Sequence, residues 1–245
     1  MPAPVILVTG AARRVGAAIA RTLHVAGANV VLHYRSSRDE ADALAAALNA
    51  ARANSALALA ANLGERAALE SLVARTVQHF GSLDGLVNNA SSFFRTPVGE
   101  IDDAAWNELV DSNLKGPLFL AQAAAPHLAR HSGAIVNITD IHADRPLKGY
   151  AVYSSAKAGL VGLTRSLAID LAPQVRVNAV APGAIVWPED GSFDQAERAA
   201  IVAGTPLQRV GSEDDIARTV KFLIFDAPFI TGQVINVDGG RSIHL

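Results

Sequence analysis

The 245-residue chain contains no cysteine. That absence excludes disulfides, thiolate metal sites and a cysteine nucleophile, and leaves the redox compartment undetermined. Neither sign of charge prevails: 21 Lys and Arg stand against 23 Asp and Glu, a formal net charge of −2. A chain without a global basic field does not attract phosphate polymers, so nucleic acid is not an expected partner. No apolar run reaches the roughly 18 residues needed to cross a bilayer, so no membrane partner is expected. Met1-Pro2-Ala3-Pro4 leads into an apolar strand without a basic leader region, which predicts no signal peptide and a cytoplasmic location. Apolar material, in contrast, is plentiful: half of the residues are hydrophobic and 18% are charged. This excludes disorder for want of a core. The length predicts one α/β domain over 1–245, near the size at which single cores begin to split.

Short β-branched runs alternate with longer helical patterns. Val5–Val8, Val30–Leu32, Leu57–Leu59, Leu86–Val87, Ala134–Val136, Val175–Val177 and Val234–Val237 predict seven strands. Near-continuous apolar strands separated by segments long enough for crossover helices indicate a parallel sheet covered on both faces. Val15, Ala18, Ile19, Thr22, Leu23 and Ala26 share a helical face ended by Gly27, Glu65 to Phe80 repeats the pattern, and Glu40 to Ala53 is an Ala-rich helix. No linker, charge block or repeat divides the chain. Pro182 to Asp194, rich in Pro, Gly and acids, is the long irregular segment, with Asp194 to Ala203 as a short helix behind it. In doubly wound sheets ligands bind beyond the carboxyl ends of the strands, so the region near 183–203 is expected to form a substrate loop.

Thr9-Gly10-Ala11-Ala12-Arg13-Arg14-Val15-Gly16 joins the first strand to the first helix. Gly10 permits a tight turn, Gly16 permits close approach of helix to sheet, and the helix N-terminus offers free N–H groups to a pyrophosphate. Arg13 and Arg14 add guanidinium groups suited to phosphate. After the second strand the chain reads His33-Tyr34-Arg35-Ser36-Ser37-Arg38, and its first acid is Asp39. A carboxylate nearer the strand would repel a 2′-phosphate; Arg35 and Ser36 would bind one. NADP(H) is therefore expected over NAD(H).

Tyr153 and Lys157 stand four apart in a helix after the fifth strand, on one face about a turn apart. A phenol becomes a working proton donor when a neighbouring ammonium stabilises its phenolate. The ordered set Thr9-Gly10…Gly16, Asn88-Asn89-Ala90, Asn113, Tyr153…Lys157, Pro182-Gly183 and Gly232-Gln233…Asp238-Gly239-Gly240 resembles the short-chain dehydrogenase/reductase family over essentially the whole chain. The resemblance implies a Rossmann-type, doubly wound sheet in the order 3-2-1-4-5-6-7, a nicotinamide cofactor and a homotetramer. It makes Tyr153 the proton donor and Lys157 the group that lowers its pKa and bonds the nicotinamide ribose. Asn113 would hold a proton-relay water. The coenzyme site would take Gly10, Arg13, Arg14, Val15, Gly16, Tyr34, Arg35, Ser36, Asn62, Leu63, Asn89, Ala90 and Ser91, with Tyr153, Lys157, Pro182 and Gly183.

Three positions depart from the common family pattern: Arg14 replaces a glycine, Asp140 a serine, and Ser91 the glycine after Asn88-Asn89-Ala90. Together these resemble the pteridine reductase branch, whose motifs look like T-G-A-A-[KR]-R-[LV]-G, N-N-A-S-S-F and an aspartate before the Tyr/Lys pair. Leu32-His33-Tyr34 and Thr205-Pro206-Leu207 also look like that branch. It implies a pterin or dihydrofolate substrate reduced at a C=N bond. Phe93 would sandwich the flat ring against the nicotinamide, Ser91 and Arg14 would bond its rim with Arg14 bridging to a cofactor phosphate, and Asp140 would share a proton with Tyr153. A general NADPH-dependent carbonyl reductase and an NADPH-binding regulatory protein are the alternatives. Asp140 and Ser91-Ser92-Phe93 count against the first, and the intact Tyr153, Lys157 and Asn113 against the second.

The remaining signals, Trp187 apart, point to no site. His127 and His131 lack a completing carboxylate, so no metal is expected. His142 reads as an exposed loop residue, Trp106 as core or subunit packing, and Trp187 as a side chain able to cover the substrate. Asp170, Glu213, Asp214 and Asp215 read as solvated helix-terminal charges.

Overall fold

The apolar strand sequences place alternate side chains on opposite sheet faces, and each face is closed by a layer of helices. The computed structural model describes residues 2–187 and 193–244. Its strands are β1 (Val5–Val8), β2 (Asn29–Tyr34), β3 (Ala56–Ala60), β4 (Gly85–Asn88), β5 (Ala134–Ile138), β6 (Arg176–Pro182) and β7 (Val234–Val237). They form one parallel sheet in the order β3-β2-β1-β4-β5-β6-β7. The helices are α1 (Arg14–Val25), α2 (Arg38–Ala51), α3 (Arg66–Phe80), α4 (Asp103–Val110), α5 (Gly116–Leu128), α6 (Ala151–Asp170), α7 (Gln195–Ala203), α8 (Glu213–Lys221) and α9 (Arg241–His244).

Ile6 and Val8 of β1 join Ile19 and Leu23 of α1, Leu44 of α2 and Ile216 and Val220 of α8 in one core. Val5 and Leu7 face the other way, onto Leu69 and Leu72 of α3 and Leu120 and Leu128 of α5. Two apolar layers of this kind hold the strand ends in fixed register, so loops leaving neighbouring strands converge on one rim of the sheet. Among the described residues no helix is long and apolar enough to cross a membrane.

The boundaries shift where side chains bond the backbone. The Ala-rich helix starts at Arg38 and ends at Ala51, earlier than expected at both ends. Asp39 and Glu40 favour its first turn through the helix dipole. After its end, Asn49 Oδ1 accepts the N–H groups of Ser55 and Ala56 and turns the chain into β3. α4 is followed by a π-helical turn over Asp111–Lys115, which passes directly into α5. Asn113 lies on that widened turn, a local irregularity that recurs at functional sites. β6 extends to Pro182, longer than expected. The short helix behind the irregular segment begins after Asp194, whose carboxylate accepts the N–H of Glu197 while Glu197 accepts that of Asp194. Residues 188–192 of the expected substrate loop lie outside the described residues.

Candidate active site

The turn after β1 is built by cross-links to the end of β4. Thr9 Oγ1 accepts the N–H groups of Asn89 (2.9 Å) and Ala90 (3.0 Å), and Asn89 Nδ2 donates to the carbonyls of Thr9 (2.9 Å) and Gly10 (3.2 Å). Gly10 adopts φ +61°, and a Cβ there would lie 2.9 Å from Ala90 Cα. At Gly16 a Cβ would fall 2.1 Å from the Gly10 carbonyl oxygen, so no side chain fits without moving backbone. Arg13 precedes α1 in extended conformation, with no side-chain cap among the described residues and no acid in the first helical turn. The amides of that turn therefore have no internal anion to satisfy them.

A groove of about 990 Å³ opens along this turn. Gly10, Arg13, Arg14, Val15 and Gly16 line one part of it; Tyr34, Arg35 and Ser36 from the end of β2, Asn62 and Leu63 after β3, and Asn89, Ala90 and Ser91 after β4 line the rest. Residues from four places in the sequence thus meet on one surface, at the carboxyl ends of the strands. Asn62 is already engaged locally: its amide donates to Glu65 (2.8 Å) and its oxygen accepts the Gly64 N–H (3.1 Å).

Two groove features were not anticipated. His33, buried on β2, accepts the Gly10 N–H at Nδ1 (3.2 Å) and faces the Ala61 carbonyl with Nε2 (3.1 Å), and burial pushes it down to about 4. The opposite wall comes from α4, where Glu108 pairs with Arg35 at 2.7 Å and accepts a hydrogen bond from Ser92. Those two bonds hold its carboxyl below the usual range. An inward histidine on a strand next to the glycine turn was a readable signal for the first. For Glu108, one acid on an amphipathic helix, the sequence carries none.

The second cluster lies at the end of β5 and the first turn of α6. Tyr153 donates its phenolic hydrogen to Asp140 Oδ2 at 2.7 Å. Asp140 Oδ1 accepts the His142 N–H at 2.8 Å, so the carboxylate also caps the 3₁₀ turn over Ile141–Ala143 and is fixed at both oxygens. Lys157 is buried and donates to the Ile138 carbonyl (2.8 Å), with Nζ 5.7 Å from the Tyr153 ring centre. Burial first, then the charge of Asp140 and its hydrogen bond, push the phenol well above its usual value, with an opposing bond from Ser91. Burial brings Lys157 down to about 8, against the attraction of Asp140. The expected lowering of the phenol by Lys157 has no part in this balance, and burial with Asp140 keeps Tyr153 neutral.

Asn113 is fully buried on the π-helical turn. Its amide donates to the carbonyls of Leu109 and Ser92 (both 2.9 Å), and its oxygen accepts the Ser91 hydroxyl (2.7 Å). It ties the Asn88-to-Phe94 segment to the helix.

Several expected site residues have partners that no sequence motif announces. Phe93 stacks on Tyr150 (4.6 Å, 16°) and meets Tyr153 edge-on (4.8 Å, 82°), packed with Leu109 and Val152 rather than along the groove. Arg14 adopts φ +52° and donates to the carbonyls of Val186 (3.0 Å) and Trp187 (3.1 Å), tethering the segment after β6 to the glycine turn. Pro182 and Gly183 sit against β7: the Gly183 N–H donates to Val237, and a Cβ on Gly183 would meet Asp238 at 2.7 Å. Trp187 packs near Phe193 and beneath Arg198. Trp106 is 50% exposed, which removes it from the core. His142 is half-buried, its ring on the Arg145 carbonyl, and is not an exposed loop residue. Asp215 is no free surface charge either: it forms a capping box with Ser212 and pairs with Arg209 and Arg218, which holds it at about 2.

A profile described as enoyl-(acyl carrier protein) reductase matches residues 10–242. Pteridine reductase 1 of Leishmania tarentolae is 40% identical, the alignment covering 98% of this chain and 97% of that protein. A 3-oxoacyl-[acyl-carrier-protein] reductase of Staphylococcus aureus is 38% identical, with 96% of each chain covered. An uncharacterized oxidoreductase of Methylorubrum extorquens is 40% identical over the same share of both. The seven-stranded parallel sheet is consistent with this relationship, and the chain belongs to the short-chain dehydrogenase/reductase family, oxidoreductases that use a nicotinamide coenzyme.

Proposed function

We propose that this oxidoreductase is an NADP(H)-dependent pteridine reductase that converts dihydropterins to tetrahydropterins and also takes oxidised pterins and dihydrofolate. The observation that carries the reading is the 2.7 Å hydrogen bond from Tyr153 to Asp140. A neutral hydroxyl next to the tyrosine would suit a ketone. A fixed carboxylate beside a protonated phenol suits delivery of a proton to a basic ring nitrogen.

The residues present fit a dinucleotide. The turn from Gly10 to Gly16 excludes side chains where a pyrophosphate would approach, and the uncapped first turn of α1 faces the same place. Arg35 and Ser36 supply donors for a 2′-phosphate at the far end of the groove. When bound, the coenzyme supplies the hydride. The chain's own part is the proton: Tyr153 holds it, burial keeps the phenol from losing it to water, and Asp140 orients the hydroxyl. Lys157 places a cation beneath the tyrosine ring. On this reading Asn113 positions the relay water next to Lys157, and Ser91 and Arg14 contact the pterin rim. The family resemblance extends the proposal to a cytoplasmic homotetramer, whose assembly sedimentation of the purified protein tests.

Phe93 favours a second reading. One face of its ring lies on Tyr150, and the similarity to an acyl-carrier-protein reductase is nearly as high as that to the pteridine reductase. A general carbonyl reductase would need no stacking ring. The deciding experiment follows NADPH oxidation by absorbance with dihydrobiopterin, dihydromonapterin, dihydrofolate, biopterin, simple ketones and a 3-oxoacyl thioester. Pterins turned over fastest would support the first reading; faster turnover of the thioester or ketones would refute it. Asp140→Ala and Tyr153→Phe should each lower turnover at least about 10²-fold while NADPH binding stays nearly intact.

A further inference from the structure

We infer that Glu108 is a specificity-determining residue of the coenzyme groove, a carboxylate from α4 that competes with a 2′-phosphate for Arg35 and so limits the preference for phosphorylated dinucleotides. The inference rests on the NADP(H) reading above and goes beyond it. By sequence, the segment after β2 has no acid before Asp39, so nothing there opposes the binding of phosphate by Arg35 and Ser36. In the fold an acid is nevertheless present. Glu108 Oε1 lies 2.7 Å from Arg35 Nη1, and both residues line the groove, one from each wall.

Glu108 is held independently of Arg35. Ser92 Oγ donates to the same Oε1, and the Ser112 hydroxyl donates to the Glu108 backbone carbonyl at 2.7 Å. Ser92 is fixed in turn, its N–H bonded to Ser112 Oγ (3.2 Å) and its carbonyl to Asn113 Nδ2 (2.9 Å). When Arg35 turns to a phosphate, the carboxylate therefore stays where it is. A 2′-phosphate bound by Arg35 then stands within a few ångströms of a fixed negative charge, whereas a plain ribose hydroxyl meets only a hydrogen-bond acceptor. The penalty falls on the phosphorylated ligand alone. Arg35 and Glu108 are 59% and 39% exposed, so solvent moderates the effect, and about fivefold in affinity is expected.

The probes are 2′,5′-ADP and 5′-AMP, titrated by calorimetry into the wild-type protein, Glu108→Gln and Arg35→Ala. Glutamine keeps an oxygen for Ser92 and removes the charge. Glu108→Gln should tighten 2′,5′-ADP about fivefold, leave 5′-AMP within about twofold, and lose most of the gain in high salt, where such charges are screened. Arg35→Ala should erase the discrimination between the two ligands. An unchanged ratio of the two affinities in Glu108→Gln would overturn the inference, whatever the wild type prefers. Equal wild-type affinity for both ligands would instead contradict the NADP(H) reading, and a selective gain for 2′,5′-ADP in Glu108→Gln would still sustain the role of Glu108.

Discussion

Lowering the pH from 7 to 5 should expose His33 as a neutral link between β2 and the glycine turn. Its ring is 1% exposed. Gly10 offers only a donor and Ala61 only an acceptor, which assigns the proton to Nε2 and leaves Nδ1 to accept. Burial pushes the group down to about 4, partly opposed by the Ala61 carbonyl, whereas in the unfolded chain it titrates near its ordinary value of about 6.5. Between those values the unfolded chain binds more protons, so stability rises with pH. The contribution is complete above about pH 6.5 and is lost as pH falls toward 4, about 3 kcal/mol over the full window. Roughly 2 kcal/mol of it disappears between pH 7 and 5. His33→Gln supplies a comparable acceptor and donor without a titrating group. Urea unfolding of both proteins at pH 7 and pH 5, at one protein concentration, should show the wild type losing about 2 kcal/mol more than the variant. His24, whose pKa burial also lowers, is common to both and cancels. Equal losses would refute the account. Protonation would also set a donor at Nδ1 against the Gly10 N–H, so the turn should lose coenzyme affinity over the same range.

Gly16→Ala forces a methyl to within 2.1 Å of the Gly10 carbonyl oxygen; we expect a cost of about 1–3 kcal/mol and loss of ADP binding by calorimetry, and unaltered binding would contradict the close-approach role of this glycine. Asn137→Ala strands the Asn88 amide (2.8 Å) in the core, while the Thr164 hydroxyl loses a donor (2.9 Å) but keeps its bond to the Leu160 carbonyl, which should lower stability by about 1–3 kcal/mol in denaturant unfolding; a change within error would show that water replaces it. Asp215→Ala removes the capping box at the start of α8 and should cost about 1 kcal/mol at neutral pH. Because Asp215 is held at about 2, its contribution is present above about pH 4 and fades as pH falls toward 2, so wild type and variant should converge in melting temperature at low pH. Phe93→Ala should weaken binding of a pterin analogue by about 1–3 kcal/mol if the ring takes part in stacking; an unchanged inhibition constant would leave Phe93 to its packing against Tyr150.

All seven strands and the glycine turn were readable from the chain because their causes are local. Strand and helix follow from the period of apolar residues, and Gly10 and Gly16 mark backbone that no other residue fits. Tyr153 and Lys157 were readable for the same reason, one turn apart on a single helix. The direction of long side chains was decided only by neighbours distant in sequence. Arg14 reaches the carbonyls of residues 186 and 187, Phe93 lies on Tyr150, and Lys157 donates to Ile138 instead of stabilising a phenolate. The negative wall of the groove belongs to this second kind. Glu108 lies 73 positions from Arg35, and no short-range pattern records which helix face will stand across from which strand end. Backbone form and burial period are properties of a few adjacent residues, whereas the partner of a flexible charged side chain exists only once the layers have packed.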